Sequence, residues 1–202
     1  VETVGLEIDG TPMRITSVAG AFPASQSFIE VKALEVAMAI ENGADEIDIV
    51  LNPGMMIAGH ESEAASEVEV LREEAKDVVL KVIIESGALK TPELIRRASL
   101  VSMFAGADFV KTSTGKIDVA ATPEAAFVMC HAIKDYYNLT GRKVGFKAAG
   151  GVKTPEDAAL YYTIVEEVLG KEWLTTDLFR IGASSAANNL ISAIEDKVVN
   201  YF

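Results

Sequence analysis

Thiols, imidazoles and long apolar runs are all scarce in this sequence. The chain contains one cysteine, Cys130, and two histidines, His60 and His131. A single cysteine cannot form an internal disulfide, and two separated histidines do not make a cluster with zinc-ligand spacing. No apolar run approaches the ~18 residues of a membrane span, and the first residues lack the basic and apolar regions of a signal peptide. We therefore expect a soluble cytoplasmic protein with no metal and no membrane partner.

Basic residues are also few relative to acidic ones. The sequence has 18 Lys and Arg residues against 30 Asp and Glu residues, which gives a formal net charge of -12. Such a surface repels the phosphates of nucleic acids, so we expect no nucleic-acid partner. An anionic ligand of this protein would have to meet a locally positive pocket. The 202 residues are 50% hydrophobic, which is enough to bury the core of one domain.

The sequence alternates between strand and helix patterns. Strand candidates begin near residues 13, 46, 79, 109, 144 and 178, and each is followed by a helix pattern. Three of the helices are predicted to begin with a threonine cap and a proline in the first turn, at Thr91-Pro92-Glu93, Thr122-Pro123-Glu124 and Thr154-Pro155-Glu156. This alternation predicts parallel strands joined by right-handed crossovers, in either an open doubly wound sheet or a closed (β/α)8 TIM barrel.

Six strand–helix units are too few for a complete barrel. Barrels contain eight units in about 250 residues. We therefore interpret residues 1–202 as a single (β/α) barrel domain from which about two N-terminal units are missing.

The N-terminal part of the sequence gives more specific expectations. Residues 13–21 are predicted to form the first strand. Ser27 and Glu30 have the spacing of a capping box, so the first crossover helix is predicted to begin there and to end at Gly43. The next strand is predicted to end at Asn52 in a turn, before a charged helix over residues 63–77.

Four consecutive strand candidates each carry one charged residue in an otherwise apolar run. These residues are Asp48, Lys81, Lys111 and Lys147. Alternation along a strand places Lys111 on the same face as Phe109 and Ser113, and we expect that face to point into the protein interior. One interpretation is a structural ion network around Asp48, because such networks also bury lysines. Another is an edge lysine whose ammonium group reaches water. The third is a reactive amine.

A reactive amine at Lys111 would need a neighbouring cation. A lysine is a nucleophile only when its amine is neutral, which requires its pKa to fall by about 3 units, or about 4 kcal/mol. Two unit charges about 4 Å apart repel by about 4 kcal/mol at an effective dielectric constant of ~20. Lys147 close to Lys111 would therefore be sufficient.

Two glycine-rich segments form a candidate phosphate site. Gly150 and Gly151 end the fifth strand, and the sixth strand runs through Gly182 into Ser184 and Ser185 before a predicted helix. Backbone amides and hydroxyl groups at such a helix start bind anions. In barrels, the loops after the last two strands form the recurring phosphate site. Each segment is a weak signal alone, because ordinary turns and caps have the same residues.

Five motifs together resemble the deoxyribose-phosphate aldolase family, a group of class I aldolases. They lie, in family order, at residues 43–48 (GADEID), 80–85 (LKVIIE), 109–116 (FVKTSTGK), 145–151 (GFKAAGG) and 182–185 (GASS). The resemblance implies a TIM barrel that needs no cofactor. It also implies reversible cleavage of 2-deoxy-D-ribose 5-phosphate to acetaldehyde and D-glyceraldehyde 3-phosphate, in deoxyribonucleotide catabolism.

The resemblance assigns roles residue by residue. Lys111 would form the Schiff base, Lys147 would perturb it and relay protons, Asp48 would work with Lys147 and a water, and Lys81 would support them. The phosphate would lie against Gly150, Gly151, Ser184, Ser185 and Lys116. The expected partners are a phosphorylated sugar and small aldehydes, with a homodimer as the expected assembly. Two rivals remain open: another Schiff-base aldolase of the same barrel type, and a non-catalytic phosphate-binding barrel fragment.

Overall fold

The computed structural model describes residues 1–201, in which a short first helix precedes an alternation of strands and helices. The strands are β1 (Thr16–Val18), β2 (Glu46–Val50), β3 (Val79–Ile83), β4 (Phe109–Lys111), β5 (Gly145–Ala149) and β6 (Phe179–Gly182). The helices are α1 (Glu2–Ile8), α2 (Ile29–Glu41), α3 (Pro53–Ala58), α4 (Glu61–Glu74), α5 (Ser86–Leu89), α6 (Pro92–Phe104), α7 (Pro123–Thr140), α8 (Pro155–Leu169) and α9 (Ala186–Glu195), with a short 3-10 helix at Lys171–Trp173.

The six strands form one parallel sheet in which spatial order equals chain order. Each strand pairs with the next one along the chain, from β1 to β6. A doubly wound sheet reverses its strand order at a switch point, whereas a barrel adds each strand beside the previous one. Of the two predicted architectures, the structure therefore has the barrel type.

The sheet is strongly curled. Arg180 Nη2 in β6 lies 3.1 Å from Glu46 Oε1 in β2, and these strands are four positions apart. In a flat sheet, with about 4.8 Å between neighbouring strands, they would be about 19 Å apart. The sheet is thus a half-barrel, as expected for part of a (β/α)8 barrel. Within residues 1–201, β1 and β6 are not paired with each other.

The two faces of the half-barrel differ in chemistry. Side chains that face the helices, such as Ile47, Val82 and Phe146, belong to the apolar core. The inner face instead carries charged residues, including Asp48 and Lys81, that are almost completely buried. The outer face therefore stabilises the fold by burying apolar area, and the inner face is free for other chemistry.

The three predicted threonine caps are confirmed. Each threonine hydroxyl accepts a hydrogen bond from the backbone N–H three residues later, at 3.3 Å for Thr91, 3.1 Å for Thr122 and 3.1 Å for Thr154. The three caps begin α6, α7 and α8, which follow β3, β4 and β5. Because each helix returns between two parallel strands, these helix N-termini lie at the rim formed by the C-terminal ends of the strands.

Three N-terminal predictions were wrong in detail. The first strand covers only Thr16–Val18, because it is an edge strand whose single partner is β2. Helix α2 begins at Ile29, and its N-cap is Phe28, which makes no side-chain cap. The residues after β2 form a helix as well as a turn: the Asn52 side chain accepts a hydrogen bond from Met55 N at 3.2 Å and caps α3.

The single thiol lies inside the core. Cys130 on α7 is completely buried, and burial raises the pKa of its thiol. Among residues 1–201, no helix has the length and apolarity that crossing a bilayer requires.

Candidate active site

The four predicted strand residues meet around one carboxylate. Asp48 Oδ2 accepts hydrogen bonds from Lys111 Nζ at 2.8 Å and from Lys147 Nζ at 3.0 Å. Its other oxygen, Oδ1, accepts from Lys81 Nζ at 2.9 Å. The amines of Lys111 and Lys147 therefore lie on the same side of the sheet, which the proposed Schiff-base chemistry requires. The structure brings these residues together, and their catalytic roles remain predictions.

The cluster perturbs the titration of its members. Burial alone would raise the pKa of Asp48, but the ammonium groups of Lys111, Lys147 and Lys81 outweigh it and hold that pKa far below its ordinary value. Burial lowers the pKa of Lys147, and the charges of Lys111 and Lys81 lower it further against the attraction of Asp48. A lowered pKa means that Lys147 loses its proton more readily than an ordinary lysine.

A second buried carboxylate, Glu46, was missed by the sequence reasoning. It forms ion pairs with Lys81 at 2.6 Å, Arg180 at 3.1 Å and Arg14 at 3.4 Å. Burial opposes its ionisation, but Lys81 and Arg180 outweigh burial and lower the pKa of Glu46 from 4.5 to about 2. Strand periodicity contained the signal, because Glu46 lies two residues before Asp48 and thus on the same face.

The ion cluster around Glu46 and Asp48 contains more cations than carboxylates. Among the described residues, the cations that contact these two carboxylates include Lys81, Lys111 and Lys147. With two arginines also paired to Glu46, positive charge is in formal excess. Removing the proton of Lys147 reduces that excess, which agrees with the lowered pKa of this lysine.

The predicted phosphate residues line an open cleft of about 410 Å³ beside this cluster. Four of the five predicted residues line it: Gly150, Gly151, Ser184 and Lys116. Ser185 does not line the cleft and instead occupies the N-cap position of α9. Lys153 also lines the cleft and was missed, although it follows the predicted glycines in the same loop.

Gly150 allows two loops to approach at the floor of this cleft. Its φ is +82°, and a Cβ at this position would lie only 2.6 Å from the Ala120 Cβ. The Gly150 carbonyl also accepts a hydrogen bond from Ala121 N at 3.3 Å. A side chain at position 150 would therefore push the β4–α7 loop away from the loop that follows β5.

The lysine cluster and the cleft are continuous. Lys111 and Lys147 line the cleft and also contact Asp48. A ligand whose anionic group contacts Lys116 or Lys153 would thus present its other end to two amines. This arrangement suits a phosphorylated carbonyl compound, because the cations bind the phosphate and an amine can add to the carbonyl.

Fold and site together define a barrel protein of the aldolase type. A family model described as DeoC/LacD family aldolase matches residues 5–185 of the chain. The chain therefore belongs to this aldolase family, and the family resemblance inferred from the five motifs is confirmed.

Named relatives show the same likeness. The chain is 43% identical to a mouse protein named deoxyribose-phosphate aldolase and 40% identical to its human counterpart. Each match covers 97% of this chain and 60% of the relative. The chain thus spans about 60% of the length of these curated relatives. A tetrameric deoxyribose phosphate aldolase from Aeropyrum pernix superposes with a TM-score of 0.74 at 29% identity, covering 96% of this chain and 72% of that one.

Proposed function

We propose that this protein is a class I aldolase that reversibly cleaves 2-deoxy-D-ribose 5-phosphate to acetaldehyde and D-glyceraldehyde 3-phosphate. Membership of the aldolase family supports the reaction class, and the names of the mouse and human relatives support the substrate. The reaction would serve the breakdown of deoxyribonucleotides.

One observation carries the proposal: Lys111 and Lys147 share Asp48 Oδ2 and both line the cleft. A Schiff-base enzyme needs an amine next to a group that accepts its proton, within reach of a bound carbonyl. The shared carboxylate oxygen provides a short route for a proton between the two amines. The lowered pKa of Lys147, caused mainly by burial, suits a proton acceptor.

In the synthetic direction, Lys111 Nζ attacks the carbonyl carbon of acetaldehyde, and loss of water gives an iminium ion. The methyl carbon of the iminium loses a proton to a relay made of Asp48, a water and Lys147. The resulting enamine attacks the aldehyde carbon of D-glyceraldehyde 3-phosphate, whose oxygen takes up a proton. Hydrolysis of the new iminium then releases the sugar phosphate and restores the Lys111 amine. Lys81 supports these steps by holding the second oxygen of Asp48.

The phosphate of the sugar is proposed to bind at the rim of the cleft. Backbone amides after Gly150 and Gly151 would face it, and Lys116 and Lys153 would supply positive charge. Ser184 and Ser185 lie where α9 begins, and helix N-termini favour anions. No metal or organic cofactor takes part in the proposed chemistry.

The test traps the Schiff base. Acetaldehyde and borohydride are added to the protein, and mass spectrometry of the peptides should find a reduced two-carbon adduct on Lys111. Lys111→Leu should lose the adduct and turnover yet keep phosphate binding within about twofold, because phosphate contacts lie elsewhere in the cleft. Lys171→Leu, at an exposed lysine, is the matched control. An adduct on another lysine, or none, would sink the proposal.

The same protein variants and ligands distinguish two rival functions from the proposed one. Another aldolase of this barrel type would label Lys111 but prefer a different phosphorylated sugar, so a substrate profile distinguishes it. A non-catalytic phosphate-binding protein would bind phosphate without labelling Lys111.

A further inference from the structure

A buried glutamate beside the cleft has an unusual backbone conformation. Glu85 lies between β3 and α5, is 4% exposed and has φ +53° and ψ +59°. This left-handed region favours glycine, because a Cβ is strained there. A large charged residue at such a position indicates that its side chain has a task, since strain of this kind concentrates at functional sites.

Among residues 1–201, the Glu85 carboxylate is hydrogen-bonded to Thr114, which lies at the cleft. Glu85 Oε1 accepts a hydrogen bond from Thr114 N at 3.2 Å, and Oε2 accepts one from the Thr114 hydroxyl at 2.5 Å. Thr114 lines the cleft together with Gly115 and Lys116. Glu85 thus holds the segment after Lys111 that lines the cleft.

The backbone around Glu85 does not need this side chain to stay in register. Ile84 N donates to Lys111 O at 3.0 Å, and Ser86 N donates to Thr112 O at 2.8 Å. These bonds continue the pairing of β3 with β4 past the ends of both strands. The Glu85 carboxylate instead binds Thr114, which lies beyond the last of these backbone hydrogen bonds.

The contacts also determine which way the Thr114 hydroxyl points. A carboxylate can only accept hydrogen bonds, so the single proton of that hydroxyl is committed to Glu85. One hydroxyl lone pair accepts from Lys116 N at 3.1 Å. What remains for a ligand is one lone pair, which can accept a hydrogen bond from a hydroxyl group but repels a phosphate oxygen.

We propose that Glu85 is a positioning residue that makes Thr114 a selective acceptor for a hydroxyl group of a phosphorylated ligand. The identity of that ligand as a hydroxylated sugar phosphate rests on the proposed function, and the geometry itself does not. Glu85 touches no reacting atom and acts through Thr114.

The test compares two unreactive probes that bind without turnover. The probes sn-glycerol 3-phosphate and n-propyl phosphate have the same three-carbon chain, and only the first carries hydroxyl groups. Calorimetry gives a Kd for each, and their ratio isolates recognition of hydroxyl groups. The unaltered chain should prefer the glycerol probe by about three- to tenfold, which is the range of one net hydrogen bond.

Glu85→Gln should bring this ratio close to one, because the amide would donate to the remaining lone pair of the Thr114 hydroxyl. The hydroxyl proton would then be free for a phosphate oxygen, which both probes carry. Thr114→Val, which removes the hydroxyl without adding a buried charge, should do the same. In the double variant the ratio should not fall further, since one residue acts through the other. Glu166→Gln and Thr163→Val on α8 are matched controls and should keep the original ratio.

A ratio that stays unchanged in Glu85→Gln, or in Thr114→Val, would overturn the inference. Equal weakening of the binding of both probes leaves the ratio unchanged and is the result expected if Glu85 only stabilises the loop. This outcome is separate from the proposed function. If acetaldehyde fails to label Lys111, the aldolase proposal is wrong, but the probe ratio still tests the role of Glu85. If the probe ratio does not change, the role of Glu85 is wrong, but the labelling of Lys111 still tests the aldolase proposal.

Discussion

Replacing Glu46 by glutamine is the sharpest test of how the inner face is held together. The substitution keeps the size of the side chain and removes one negative charge. In the folded protein that charge is buried against Lys81, at 2.6 Å, and Arg180, at 3.1 Å. The ammonium of Lys81 keeps a second partner in Asp48, so the loss of charge is felt most by Arg180.

The size of the effect follows from the pKa of Glu46, which falls from 4.5 to about 2 in the folded state. A difference of about 2.5 pKa units corresponds to about 3 kcal/mol of folding free energy. Because the folded pKa is lowered, this stabilisation is fully present above pH 4.5 and is lost as the pH falls through about 2. Glutamine cannot supply it. We therefore expect Glu46→Gln to be less stable by about 3 kcal/mol at pH 7 but by only about 1 kcal/mol at pH 3.

Urea unfolding followed by circular dichroism at pH 7, 4 and 3 measures this gap. Acid destabilisation from the other carboxylates is common to both proteins and cancels in the difference. Glu166→Gln, which makes the same chemical change at a half-buried surface ion pair, should cost less than about 0.5 kcal/mol at every pH. A gap of the same size at pH 7 and pH 3 would show that shape or a neutral hydrogen bond, and not charge, stabilises this position.

Two further predictions concern the lysine cluster and the cleft. Burial lowers the pKa of Lys147, and the charges of the neighbouring lysines lower it further. If Lys147 acts as the proposed base, turnover should rise with pH through that pKa, because only the neutral amine accepts a proton. Lys147→Leu should remove this rise from the pH–rate profile. Gly150→Ala should weaken binding of inorganic phosphate about tenfold, because the added Cβ would lie 2.6 Å from the Ala120 Cβ. Gly141→Ala is the control, because the φ of Gly141 is also positive, at +73°, but a Cβ there meets nothing within 4 Å. Calorimetry should show unchanged phosphate binding in this variant. Urea unfolding should show a loss of about 1 kcal/mol in the free energy of unfolding.

The regular parts of the fold could be predicted because their signals are local. A threonine followed by proline states where a helix begins, and Thr91, Thr122 and Thr154 do so irrespective of the rest of the chain. The choice between a doubly wound sheet and a barrel could not be made this way. It depends on the curl that brings Arg180 to Glu46, a contact between residues far apart in sequence.

The candidate site was predictable to the extent that strand periodicity determines direction. Asp48 and Lys111 stand out because each interrupts an apolar run. Glu46 begins its strand and so interrupts nothing, and its importance depends on partners from β3 and β6. For Ser185 the motif predicted too much. Ser184 lines the cleft, whereas Ser185 is the N-cap residue of α9. A motif of two adjacent serines does not show which of them faces the cleft.

The helix N-termini that lie together at one rim should affect the rate at which an anion reaches the cleft. The partial positive charges at the N-termini of α6, α7, α8 and α9 are all on the side of the molecule where Lys116 and Lys153 lie. The protein as a whole carries a net charge of -12 and repels phosphates at long range. Added salt screens that repulsion over about 10 Å at 0.1 M, whereas contacts inside the cleft are screened less. Binding of the proposed sugar phosphate should therefore become faster at moderate ionic strength, unlike binding to a uniformly basic surface.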